Sequence, residues 1–219
     1  MNAQTETHLI DGPAGRLEIA IDRPAAAMAC APGSAPTVVV SHPHPLFGGT
    51  LTNKVVQTLA RAFVQCGYTA VRYNFRGVGQ SAGAYDEGRG ELADLLAVIE
   101  HAAPAGPLAL AGFSFGAFVT THGTAHLLQA GRAPVAQVLV GLAASRFACA
   151  PVDAELHPRT LVVHGEQDDT VPLSAVLDWA RPQTLPVVVV PGVEHFFHGQ
   201  LPLLRQWVVR HLASLPPAG

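Results

Sequence analysis

The sequence predicts a doubly wound α/β domain, a mainly parallel twisted sheet with helices on both faces and an antiparallel hairpin ahead of it. Three observations carry this expectation. Short uninterrupted apolar runs recur at residues 37–40, 68–73, 108–111, 135–140, 160–163 and 187–190, as in strands covered on both faces. Helical spacings fall between them, so strand and helix alternate from residue 37 to residue 214. Before the alternation, Leu9 and Ile10, then Leu17, Ile19 and Ile21, flank Asp11-Gly12-Pro13, a hairpin pattern expected at a sheet edge.

Taken in order, the Pro-, Ala- and Gly-rich stretch from Pro24 to Pro36 reads as a loop too short to divide domains. Val55, Val56, Leu59, Ala62 and Phe63 share one helical face, with Thr50 or Thr52 as N-cap and Gly67 to stop the helix. Leu92, Leu95, Leu96 and Ile99 repeat that spacing, as do Leu204, Trp207, Val208 and Leu212. With 219 residues, one domain over 1–219 is expected. Apolar residues form 49% and charged residues 13%, which excludes a disordered chain. The net charge of −3 offers no polybasic surface, so no nucleic-acid partner is expected. No apolar run reaches the roughly 18 residues of a membrane span, and no membrane association is expected. Cys30, Cys66 and Cys149 lack paired or metal-like spacing, and the polar start MNAQTETHL lacks a signal-peptide core. Free thiols in a reducing cytoplasm follow as the expectation.

Ligands of doubly wound sheets collect beyond the carboxyl ends of the strands. There the run ending at Ala111 continues as Gly112-Phe113-Ser114-Phe115-Gly116 and passes into a helix-capable stretch, a G-x-S-x-G nucleophile elbow. So sharp a turn strains the serine backbone, and side chains at the flanking positions would strike the adjoining helix and strand. Glycine removes the collision. Ser114 then sits at the head of a helix, where the Phe115 N–H and the helix dipole can meet a developing oxyanion.

A serine hydroxyl needs a base to take its proton and an acid to orient that base. The run ending at Val163 continues as His164-Gly165-Glu166-Gln167-Asp168-Asp169-Thr170-Val171-Pro172, and the run ending at Val190 leads to Glu194-His195-Phe196-Phe197-His198. The chain order serine, carboxylate, imidazole is that of α/β-hydrolases. HPHPLFGGT, NFRGVGQS, GFSFG, HGEQDDTVP and VEHFF together resemble a small bacterial group of serine hydrolases related to dienelactone hydrolase, and residues 37–214 are similar to the α/β-hydrolase fold. The resemblance assigns the acid to Asp168 through H-G-x-x-D-x-x-V-P, leaving Asp169 as a solvated loop carboxylate or a cap for the segment from Pro172. It assigns the base to His195, which precedes two aromatics, and leaves His198 at the surface start of the last helix. A second oxyanion amide is expected in the loop Ser41 to Gly49. The group usually shows His-Gly there, whereas this chain has His-Pro twice, so the donor is His44 or Leu46; Pro43 and Pro45 have no N–H. His42 is expected to buttress the loop.

Other readings are weaker. His42 with His44, or His122 with His126, lacks a third ligand, so no metal site is expected. Arg76-Gly77-Val78-Gly79-Gln80-Ser81-Ala82 formally fits a dinucleotide fingerprint but sits on the second parallel run, with no apolar helix until about Glu91. No cofactor is expected, and Arg76 with its glycines is read as shaping a turn beside the site. About twenty residues, Gly141 to Arg159, stand where many such hydrolases insert a cap domain, and they include Pro151 and Pro158. A lidless, open site follows, suited to small acyl substrates. The expected activity is cleavage of small carboxylic esters through an acyl-serine. Thioesterase, lactonase and peptidase chemistry on the same residues are alternatives, and a noncatalytic binding scaffold is the competitor from another class. The oligomeric state is not legible.

Overall fold

The computed structural model describes residues 5–25 and 36–216. Cys30 and most of the expected loop from Pro24 to Pro36 lie outside the described residues. Eight strands form one sheet: β1 (Glu6–Gly12), β2 (Gly15–Asp22), β3 (Thr37–Ser41), β4 (Thr69–Tyr73), β5 (Leu108–Phe113), β6 (Ala136–Val140), β7 (Thr160–Gly165) and β8 (Val187–Val190). Their order is β1-β2-β4-β3-β5-β6-β7-β8. The hairpin of β1 and β2 is antiparallel and joins the sheet by an antiparallel pairing of β2 with β4. Pairings from β4 across to β8 are parallel. This is the mainly parallel, doubly wound sheet with an antiparallel edge hairpin that the sequence predicts.

The helices are α1 (Lys54–Gln65), α2 (Arg89–Ala102), α3 (Phe115–Gln129), α4 (Leu173–Ala180) and α5 (Leu201–Ser214). Successive side chains of a strand point to opposite faces, which divides the apolar runs between two cores. Val38 and Val40 pack with Leu59 and Phe63 of α1 and with Leu204 and Val208 of α5. Val39, between them, packs with Leu95 and Ile99 of α2, Phe118 of α3 and Val176 of α4. Both faces of the parallel strands are therefore covered, and an alternating polar pattern is excluded there.

Two expectations need correction. The N-cap of α1 is Asn53, whose side-chain oxygen accepts from the N–H groups of Val55 (2.9 Å) and Val56 (3.4 Å). Thr50 and Thr52 precede that cap and instead bond each other through their hydroxyls at 2.8 Å. His198 also precedes α5, which starts at Leu201. As expected of a helix stop, Gly67 follows α1 in the left-handed region, at φ 87°.

Between β6 and β7, residues 141–159 hold only a 3-10 turn, Ala154–Arg159. No helical cap stands over the carboxyl edge of the sheet there. Asn53→Ala should lower unfolding stability by about 1 kcal/mol, whereas Thr52→Ala should stay within about 0.5 kcal/mol of the parent. Urea unfolding of the two variants checks this ranking.

Candidate active site

Ser114 occupies the turn between β5 and α3 with φ 56° and ψ −117°, a region that costs a non-glycine residue of the order of 1–3 kcal/mol. The surrounding backbone holds it there. Its N–H donates to Val140 O at 2.8 Å, and its own carbonyl accepts from the first turn of α3. The two elbow glycines are required by space alone. A Cβ on Gly112 would stand 2.4 Å from Gly116 O, and one on Gly116 would stand 2.3 Å from Ser41 O. The first collision is with the head of the helix and the second with the end of β3, as the motif reading anticipates.

The loops after β7 and β8 bring up the other two groups. They are pressed together: a Cβ on Gly165 would lie 2.3 Å from Val193 O, and Gln167 N–H donates to that same carbonyl at 2.9 Å. His195 places Nε2 3.0 Å from Ser114 Oγ and Nδ1 2.6 Å from Asp168 Oδ2. Asp168 Oδ1 accepts from the N–H groups of Thr170 (3.0 Å) and Val171 (2.7 Å). The carboxylate is thereby held at both oxygens, one by its own loop and one by the imidazole. Because the ionised carboxylate only accepts, Nδ1 carries the proton and Nε2 is left to accept from Oγ–H. The ring is bounded by Phe113, 4.9 Å away between centroids, and by Gly141, where a Cβ would sit 3.1 Å from Cε1.

Ser114, Asp168 and His195 thus converge from three strand ends. Asp169 does not join them. It is exposed, accepts only from the Thr170 hydroxyl (3.3 Å), and gives no cap to α4. His198 is exposed and pairs with Glu194 at 3.1 Å.

The loop after β3 closes over the elbow. His42 is buried, donating through Nδ1 to Pro43 O (2.6 Å) and accepting at Nε2 from Phe75 N–H (3.0 Å). Burial holds this imidazole neutral, with its pKa pushed down to about 4. The expected buttress is present. His44 Nδ1 accepts from Leu46 N–H at 3.2 Å, so that amide is occupied, and Leu46 projects outward at 66% exposure. His44 lines the cavity in front of Ser114, together with Phe115; Leu46 does not. Among the described residues, His44 N–H donates to no protein acceptor, and Phe115, first residue of α3, has no intrahelical acceptor for its own.

That cavity has a volume of about 340 Å³ and is open to solvent beside the exposed rings of Phe47 and Phe196. One wall comes from the segment after β6, through Ala143, Arg146 and Phe147. These residues follow no motif or periodicity; only their position beyond a strand's carboxyl end marks them in the sequence. His164, also unassigned from the motif, donates through Nε2 to Val171 O (2.9 Å), lies 3.5 Å from Asp168 Oδ2, and has a buried Nδ1 without a partner. Arg76 forms a bidentate pair with buried Asp94 (3.0 and 2.8 Å) and braces the loop after β4 against α2. Among the described residues no three His, Cys, Asp or Glu side chains are grouped to hold a metal ion. No described helix is long and apolar enough to cross a membrane. Cys66 and Cys149 are free thiols, and burial pushes Cys149 up to about 12, leaving it without thiolate character.

The X-Pro dipeptidyl-peptidase (S15) family model matches residues 11–144, which include the elbow but end before Asp168 and His195. A lidless α/β serine hydrolase from Xanthomonas campestris is 34% identical, with 100% of this chain and 99% of that one covered and a TM-score of 0.85. An α/β serine hydrolase homologue from Coxiella burnetii is 39% identical over 94% of this chain and 97% of that one, with a TM-score of 0.76. An uncharacterised Rickettsia prowazekii protein is 42% identical over 113 residues, half of this chain and 45% of that protein, so the match spans less than half of this curated relative.

Burial holds His42, His164 and His211 below the ordinary histidine range. Below about pH 6.5 the unfolded chain binds protons there that the native state refuses, so stability falls as pH drops. For His42 alone, lost progressively down to about pH 4, the full effect is of the order of 3 kcal/mol. Urea midpoints at pH 7.5 and 5 should show this decline, and His42→Gln should make it shallower.

Proposed function

The chain belongs to the S15 family of α/β serine hydrolases, and from that premise we propose that it cleaves small carboxylic esters through an acyl-serine intermediate. The observation that carries the reading is the hydrogen-bonded relay from Ser114 Oγ to His195 Nε2 (3.0 Å) and from Nδ1 to Asp168 Oδ2 (2.6 Å), opening into one cavity.

Ser114 attacks the ester carbonyl as His195 Nε2 takes the hydroxyl proton. The imidazolium formed is stabilised by Asp168, whose second oxygen is already satisfied by backbone N–H groups and does not need to reorganise. The developing oxyanion is placed against the N–H groups of Phe115 and His44, preorganised donors of which each is worth roughly 10²–10³ in rate. His195 then returns the proton to the leaving alcohol, and water repeats the cycle on the acyl-serine. Leu46 is dropped as a donor because its amide is bonded to His44. The wall after β6 without a cap, and the cavity of about 340 Å³, favour short acyl groups over long chains needing an enclosed tunnel.

Peptidase activity is the second reading, and the family match is what favours it. Release of an N-terminal dipeptide calls for an acidic group to receive the free α-amine. Among the described residues the cavity lining holds no Asp or Glu and one cation, Arg146, the wrong charge for that task. Esters are therefore preferred over peptide amides.

A fluorophosphonate should label the wild type, and Ser114→Ala should lose both label and turnover. Asp168→Asn should lower kcat about 10⁴-fold by turning an amide N–H toward Nδ1 and reversing the tautomer, while Asp169→Asn should stay within about twofold. A panel of aryl esters, thioesters and X-Pro amides decides the substrate class: faster cleavage of the amides, or of acyl chains of about twelve carbons over butyrate, would overturn the ester reading.

A further inference from the structure

Among the described arginines, Arg146 alone lines the cavity in front of Ser114. Arg16, Arg23, Arg72, Arg76, Arg89 and Arg181 each face an Asp or Glu partner. Arg146 has no ion pair and no hydrogen bond to protein among the described residues. It is also the one formally charged side chain, among those described, on the lining of the cavity that holds Ser114 and His195.

Its surroundings fit a ligand. Phe147, next in the chain, lies on the same wall and gives an apolar flank to a carbon skeleton; the His44 ring lies tilted beside it at 6.0 Å and the Phe115 ring meets it edge-on at 5.2 Å between centroids. Arg146 and Phe147 also border an adjoining surface depression of about 480 Å³, whose lining includes Glu87. Glu87 is engaged with Arg89 at 3.6 Å and does not neutralise Arg146. A guanidinium presents a planar fork of N–H donors that matches a carboxylate with two parallel hydrogen bonds. An unpaired one on the wall of a reaction cavity, with no protein acceptor, is a receptor for an anionic group of the substrate.

We propose that Arg146 forms an anion subsite of the reaction cavity and selects ester substrates that carry a carboxylate. This rests on the serine hydrolase reading above. The carboxylate can belong to the acyl half, as in a dicarboxylic monoester, or to the alcohol half, and the chemistry of recognition is the same.

Three chromogenic or coupled-assay esters separate these cases: an aryl butyrate, the matching aryl hemiglutarate, and the butyrate ester of 4-hydroxybenzoate. In the wild type at low salt, kcat/KM for at least one anionic ester should exceed that for the neutral one. In Arg146→Gln the ratio of anionic to neutral kcat/KM should fall about tenfold, through KM, with Arg146→Lys intermediate and 0.5 M salt narrowing the difference. Whichever anionic ester responds identifies the half that bears the charge. A ratio unchanged by Arg146→Gln for both anionic esters, with the neutral ester still cleaved, overturns the subsite and leaves the hydrolase reading standing. No cleavage of any of the three by the wild type overturns both.

Discussion

The site depends on one close approach: the head of α3 lies against the end of β3 with no space for a side chain between them. Gly116 meets the carbonyls of Ser41 and His42, and Gly112 meets the backbone of the helix it precedes. That contact sets the height of Ser114 above the sheet and turns the Phe115 N–H toward the cavity. It also brings the His44 loop alongside. Packing the strand–helix junction this tightly leaves Ser114 in a left-handed conformation, and the hydrogen bond from its N–H to Val140 O helps to hold it there.

Asp168 and His195 are positioned by a different device. Their loops are joined through backbone, at Gly165 against Val193 and through Glu166 N–H to Val190 O, which ties the segment carrying Asp168 to the segment carrying His195. Division of labour between the two Asp168 oxygens then leaves a single acceptor for Nδ1–H. Since the imidazole is also bounded by Phe113 and Gly141, its orientation is specified from four sides without any charged group other than Asp168 in hydrogen-bond contact.

Features imposed by local sterics or by burial on two faces were legible in the sequence. The six apolar runs mark strands because a strand covered on both faces leaves few positions for polar residues, and G-x-S-x-G marks the elbow because the collision writes glycine into fixed places. Asp168 was distinguished from Asp169 by family pattern alone; the physical difference, two backbone donors and burial for one and solvent for the other, exists only in the folded loop. Thr50 and Thr52 misled for a related reason. They are good capping residues, but Asn53 is the one whose oxygen reaches the first free amides. Leu46 could not be eliminated from sequence because its amide is consumed by a side chain two residues away. Arg146 and Phe147 belong to an irregular segment with no periodicity, and tertiary folding alone brings them to the cavity.

The edge hairpin reaches this machinery through a chain of polar contacts. Glu18 of β2 accepts from the Asn74 side chain (2.8 Å) and from Gln80 N–H (2.9 Å), and Asn74 in turn accepts from Leu51 N–H (2.8 Å). The neighbouring residue, Phe75, donates to the imidazole of His42 that underpins the loop after β3. Strands remote from Ser114 in sequence, and contributing nothing to the cavity wall, therefore serve as its foundation. A fragment beginning at the first parallel strand would lose the cover of β4 and the polar contacts that brace two loops at once.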